Sequence, residues 1–168
     1  QYNSNTTSWT QLGSDIDGEA EGDFSGWSVS LSSDGAIVAI GANRNHGNGQ
    51  YSGHVRIYQY ADSAWSQLGS DIDGEAAGDF SGISVSLSSN GAIVAIGATG
   101  NHGNGPSSGH VRVYEYSSGS WTQLGNDIDG EGYTGAADGN SGHSVSLSSD
   151  GTIVAIGAPF TGGFSDSY

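Results

Sequence analysis

Val29 and Leu31 alternate with Ser28, Ser30 and Ser32 in the run GWSVSLS (Gly26–Ser32), a strict period of two that predicts a strand with one apolar face. The next run, AIVAIGA (Ala36–Ala42), is continuously small and apolar, the pattern of a strand covered on both faces. GHVRIYQY (Gly53–Tyr60) alternates again, with Val55 and Ile57 against Arg56, Tyr58 and Tyr60, and WTQL (Trp9–Leu12) is a fourth strand-like run. No segment shows a 3.6-residue apolar period, so no helix is expected. The second and third runs are separated by SSDGA (Ser32–Ala36), and the same place reads SSNGA at Ser88–Ala92 and SSDGT at Ser148–Thr152. Asp-Gly and Asn-Gly predict tight hairpins of type I′. The polar link NRNHGNGQYS (Asn43–Ser52) is expected to be a surface loop.

These runs recur. Trp9, Trp65 and Trp121 mark a period of 56, and 9–64 aligns with 65–120 without a gap at 42 of 56 identical positions. The organisation expected is 1–8 as the end of a preceding blade, 9–64 and 65–120 as two full repeats, and 121–168 as a third. That third repeat is incomplete and carries a four-residue insertion near Tyr133–Asp138. One four-stranded antiparallel meander cannot bury both of its faces, so repeats must stack. The fold expected is therefore all-β, with β-propeller-type blades, one meander per 56-residue repeat. The small residues of AIVAIGA suit the strand nearest a crowded axis. A parallel β-helix is the runner-up, but it lacks tight antiparallel hairpins.

FSGISVSLS (Phe80–Ser88), AIVAIGA (Ala92–Ala98) and GHVRVYEY (Gly109–Tyr116), with the literal Gly157-Ala158-Pro159, resemble the FG-GAP repeat of integrin-α-like β-propellers. The likeness is nearest to the repeat arrays of secreted or surface proteins of aquatic microbes. It implies an extracellular, non-catalytic binding or scaffold propeller. One departure matters: integrin-type repeats carry a D-x-D-x-D-G calcium loop between the first two strands of the core motif. Here that place holds only the short SSDG turn, so the family's calcium site does not carry over by position.

Composition narrows the function. Net charge is −15, and the only Lys or Arg residues are Arg44, Arg56 and Arg112, so no basic face for nucleic acid or for an anionic membrane can be assembled. No stretch of 18 apolar residues predicts a membrane span. Thirty Gly and 34% hydrophobic residues lean towards disorder, but four Trp, eight Tyr and the Val/Ile runs build a core, so a folded, loop-rich chain is expected. Cysteine is absent, so no disulfide contributes. An acidic surface suits solubility, cation binding or salty surroundings.

The acidic phrase DIDGE is the obvious place for a cation. Asp15, Asp17, Glu19 and Asp23 recur as Asp71, Asp73, Glu75 and Asp79, and then as Asp127, Asp129 and Glu131, with Asp138 as a substitute fourth acid. Closely spaced carboxylates on a turning loop suit calcium, one ion per blade edge pinning the outer strand to the next blade. The other reading is an exposed acidic turn whose Asp side chains cap local amides. Either way the phrase is a blade-to-blade connector. His46 and His54, repeated as His102 and His110, raise zinc, although repetition alone accounts for their spacing and no Cys accompanies them. Arg56 and Arg112 beside Tyr58, Tyr60, Tyr114 and Tyr116 fit Arg–Tyr stacking or Arg–Asp pairing between blades, or a sugar-binding face. The position held by Trp27, Ile83 and His143 varies freely, which marks a partly exposed site.

Catalysis is not expected, because nearly every acid, Ser and His has counterparts in other repeats and no nucleophile elbow or P-loop is present. Asn5-Thr6-Thr7 is an N-glycosylation sequon. The chain lacks an initiator Met and a leader-like stretch, and it opens with the end of a blade. It is expected to be an excerpt of a longer array or a protomer whose copies complete one another, because an unpaired sheet edge invites association. The partners expected are other copies of itself, further repeats, or an extracellular protein or glycan.

Overall fold

The computed structural model describes residues 1–131 and 139–159. The insertion around Tyr133–Asp138, with the substitute acid Asp138, and the last nine residues lie outside the described part. All regular elements described are strands. A short hairpin of β1 (Tyr2–Asn3) and β2 (Ser8–Trp9) comes first. The first full sheet contains β3 (Ser25–Leu31), β4 (Ile37–Ala42), β5 (His54–Ala61), β6 (Ala64–Gln67) and β7 (Ile72–Asp73). The second repeats it with β8 (Ser84–Leu87), β9 (Ile93–Ala98), β10 (His110–Ser117), β11 (Ser120–Gln123) and β12 (Ile128–Asp129). The third begins with β13 (Ser144–Leu147) and β14 (Val154–Gly157). Every pairing between named strands is antiparallel, and the meander order β3-β4-β5-β6 is that of propeller-type blades.

Three details differ from expectation. The sheet runs from β3 to β6, so the Trp-bearing strand closes the blade that began before it: Trp65 pairs with Tyr60, and Trp121 with Tyr116. The two-residue link Asp62–Ser63 forces this, because a tight hairpin joins its flanking strands in one sheet. Second, the strand where neighbouring blades meet is the alternating SVSL run, since β8 touches both β3 and β13, while IVAIGA lies second in the sheet. The serines of SVSL bind across the junction: Ser28 Oγ donates to the Gly82 carbonyl at 2.8 Å, and Ser30 Oγ accepts from the Leu87 amide at 2.9 Å. IVAIGA is apolar throughout because side chains on both of its faces are buried.

Third, the SSDG hairpins are not type I′. Gly35, Gly91 and Gly151 have φ of +72°, +70° and +75°, but Asp34, Asn90 and Asp150 do not share that region. Gly35 donates to the Ser32 carbonyl and Ser32 to the Ile37 carbonyl, each at 2.9 Å, the pattern of a type I turn followed by a glycine bulge. The Asp34 carboxylate holds it by accepting from the Ala36 amide at 2.9 Å and from Ser32 Oγ at 2.6 Å.

The core lies between blades. Val55, Ile57 and Ile72 of the first blade pack in one buried cluster with Val85, Leu87, Val94 and Ile96 of the second. The loop 43–52 is on the surface only in part, since Asn45 and Ser52 are buried and hydrogen-bond within the fold.

Candidate metal centre

β7 continues the outer edge begun by β6. Both pair with β5, β6 at residues 58–61 and β7 at 54–55, with a break at Leu68–Asp71. The acidic phrase is therefore the tail of the outer strand followed by a crossing to the next blade. Ile72 is buried opposite Val55, which anchors the tail. Gly74 has no room for a side chain, because a Cβ there would meet the Ser52 carbonyl oxygen; Gly130 meets Ser108 in the same way. Asn48 Nδ2 clamps the strap by donating to the carbonyls of Gly74 and Glu75, each at 2.9 Å.

The strap sends its acids in different directions. Asp15 accepts from Gln11 Nε2 at 2.8 Å; the Asp17 carbonyl accepts from Arg56 Nη2 at 2.7 Å; Asp23, buried, accepts from Asn45 Nδ2 at 2.7 Å. In the second copy Asp79 caps the Glu75 and Ala76 amides at 3.1 and 3.0 Å. Asp73 and Asp129 sit opposite His54 and His110 in the strand ladder, and Glu131 is exposed. The remaining acids converge across units. Glu19 comes from the first phrase and Asp71 from the second, and they meet at His54 on β5, whose Nδ1 lies 3.7 Å from both Glu19 Oε2 and Asp71 Oδ2. His110 Nδ1 lies 3.8 Å from Glu75 Oε2 and 3.7 Å from Asp127 Oδ2. In each trio the three ligating atoms lie within 4.8 Å of one another, so both groups have the composition and spacing to hold a metal ion.

Residues 15–58, from the first acid of the strap through His54 to Tyr58, match the family model of the FG-GAP repeat. The chain carries an FG-GAP-type repeat over that stretch. No curated protein matches it with significance. The matched stretch holds Glu19 and His54 but ends before Asp71, so the first trio takes its third acid from the next copy of the 56-residue unit.

Electrostatics differ around the strap. Burial, helped by the Arg112 guanidinium, depresses the pKa of His110 against the pull of Asp127, Glu75 and Asp79, which favours the neutral ring with a free lone pair. Burial raises the Asp73 carboxyl, and Asp71 and Glu19 push the same way while His54 and Arg112 oppose them. Arg56 and Arg112 lie 5.6 and 5.5 Å from the Tyr58 and Tyr114 ring centres, so Arg–Tyr contacts are present, but within one strand and not between blades as expected. Their acidic partners are Glu19 and Glu75, at 3.8 and 3.5 Å, and the Asp they meet is met at its backbone carbonyl.

Spacing along the chain concealed two sets of participants. His54 and His110 read as by-products of repetition, and their place in the trios comes from β5 and β10 meeting the straps. Asn45 and Asn101, which donate to Glu19 and Glu75 at 3.3 Å, lay inside what reads as a surface loop. His46 stands apart, edge-on to Tyr51 at 5.1 Å.

Proposed function

We propose that this FG-GAP-type chain is a non-catalytic, extracellular structural or adhesive module that works by stacking onto further units of its own kind. What carries the reading is the junction between blades, whose main contacts recur and whose two halves, among the described residues, are exposed at opposite ends. Ile37 packs on Gly91 and Ile93 on Gly151, while Ile153 is 69% exposed and Gly35 has nothing within 4 Å of a Cβ position. Trp65 Nε1 donates to the Leu12 carbonyl at 2.8 Å and Trp121 Nε1 to Leu68 at 2.7 Å, while Trp9 and Leu124 are exposed. One end offers Trp9, Val29, Leu31 and Gly35; the other offers Leu124 and Ile153, which are the partners those residues have at the internal junctions. Beside Trp9 and Leu31 lies a cleft of about 550 Å³. Such a contact is head-to-tail, so it builds rings or filaments.

The duplicated polar chemistry favours a non-catalytic role, since the described histidine trios occur twice in the same form. No helix among the described residues is long and apolar enough to cross a membrane, and the FG-GAP match favours an extracellular setting, where Asn5, exposed in the β1–β2 turn, would be open to glycosylation. Sedimentation of the 168-residue chain over a range of concentrations tests the stacking. Association that Ile153→Glu and Leu31→Glu each abolish is expected; a monomer at every concentration overturns the reading.

A second reading, glycan binding, is favoured by one cluster that does not repeat. Phe24 and Trp27 are stacked at 5.9 Å, Tyr51 and Phe80 at 6.1 Å, and the Arg44 guanidinium lies 4.6 Å from the Phe24 centroid and 5.8 Å from that of Tyr51. The equivalents of Arg44 and Tyr51 in the next unit are Gly100 and Ser107. Exposed rings beside a cation suit sugar stacking. Oligosaccharide titration that shifts the Trp27 indole resonance, and is lost in Phe24→Ala, supports it.

A further inference from the structure

We propose that each histidine trio binds a divalent transition-metal ion of the zinc type, one held by Glu19, His54 and Asp71 and a second by Glu75, His110 and Asp127. Two independent observations meet here. The first is the convergence of three ligating groups from separate stretches of the chain, twice over. The second is that Nδ1 of His54 and of His110 is buried without a hydrogen-bond partner, on residues only 1% exposed, and is directed at both carboxylates. Buried side-chain nitrogens ordinarily find a partner, so two equivalent exceptions at equivalent places call for one explanation.

Hydrogen bonding does not supply it, because separations of 3.7–3.8 Å are too long. They come within a few tenths of an ångström of the separation a metal imposes: ligand atoms about 2.1 Å from a tetrahedral ion lie about 3.4 Å from one another. The carboxylates are already oriented for it. Gln67 Nε2 donates to Asp71 Oδ1, leaving Oδ2 towards His54, and Gln123 holds Asp127 Oδ1 in the same way. Arg56 lies on the Oε1 side of Glu19 and Arg112 on the Oε1 side of Glu75, so Oε2 is the oxygen facing the ring in both. Such outer contacts fix ligand geometry at metal sites. Glu19 and Glu75 side chains are 45% and 43% exposed, which gives an ion a way in and leaves room for water as a fourth ligand. An imidazole in the ligand set selects a zinc-type ion over calcium, which prefers six to eight oxygens. The ion would fasten the incoming strap of a blade to its outgoing strap, stapling successive repeats.

The test is calorimetric titration of the intact chain with zinc chloride, with calcium chloride as comparator, together with ¹⁵N resonances of the histidine rings. Two zinc ions per chain, with shifts at Nδ1 of His54 and His110, are expected. Glu19→Gln should leave one ion and Glu19→Gln/Glu75→Gln none; both glutamates are partly exposed, and circular dichroism checks that the variants keep the fold. The proposal is overturned if zinc does not bind, if only His46 and His102 shift, if the double variant still binds two ions, or if calcium occupies the trios equally well.

Discussion

Asp34, Asn90 and Asp150 occupy one structural position in successive copies, and their Oδ1 atoms accept the same pair of hydrogen bonds, from a Ser Oγ two residues back and from an amide two residues on. In Asp150 a third donor, Thr152 Oγ1, joins at 2.9 Å. The bond from Ser148, with those from Thr152, stabilises the carboxylate and pulls its pKa from 3.8 to about 2. A depressed carboxylate adds stability that is present above its unfolded value and is lost as pH falls through the folded one. Carboxyl titration by NMR should therefore give Asp150 a midpoint near 2, and the stability that the native chain holds over Asp150→Asn should fade between about pH 4 and pH 2. A midpoint near 3.8 would contradict the hydrogen-bond account. The variant should fold, because Asn90 already serves at the same place. A residue-scale surprise is Phe80, whose φ is +55°, a costly region for a bulky side chain; its third-copy counterpart Asn140, at +50°, is a residue type that enters that region readily. Sequence alone makes Phe80 and Asn140 an odd exchange, and the backbone explains it.

Among the elements, the glycine of IVAIGA is the most constrained. A Cβ on Gly97 would meet the Gly142 carbonyl oxygen and Ser84 Oγ, and one on Gly41 would meet Gly82 and Ser28 in the same way. Neither glycine is at positive φ, so the requirement is close approach of the next blade's backbone. Gly97→Ala should cost about 1–3 kcal/mol by pushing two blades apart, read from the urea midpoint; an unchanged midpoint would show that the junction yields. The strands themselves were legible, because alternation and continuous apolar runs reflect how many faces are covered. Their grouping was less so: the period of 56 has no intrinsic starting point, and only the β5–β6 hairpin decides that Trp65 ends a blade.

For the whole molecule, stability resides in junctions. Leu87 and Leu31 hold the same position in successive blades, yet Leu87 is 7% exposed and Leu31 60%. Leu87→Ala should cost about 2–5 kcal/mol. Leu31→Ala in the monomer should stay within about 0.5 kcal/mol. Chemical denaturation at low protein concentration compares them, and equal costs would refute a core built between blades. The proposed stacking predicts that the two values approach each other as protein concentration rises.

The periodic amino-acid pattern by itself determined the strands, the hairpins and the need for stacked sheets, since each depends on residues close in the chain. It also exposed the acidic strap as a recurring device. Tertiary structure alone decided which acids meet. Glu19 and Asp71 are 52 positions apart and come from different copies of the phrase, and they converge only because the strap crosses from one blade to the next past His54. Contacts between copies have no local signature in a repeat, because every copy presents the same residues and only packing selects which copy is the partner.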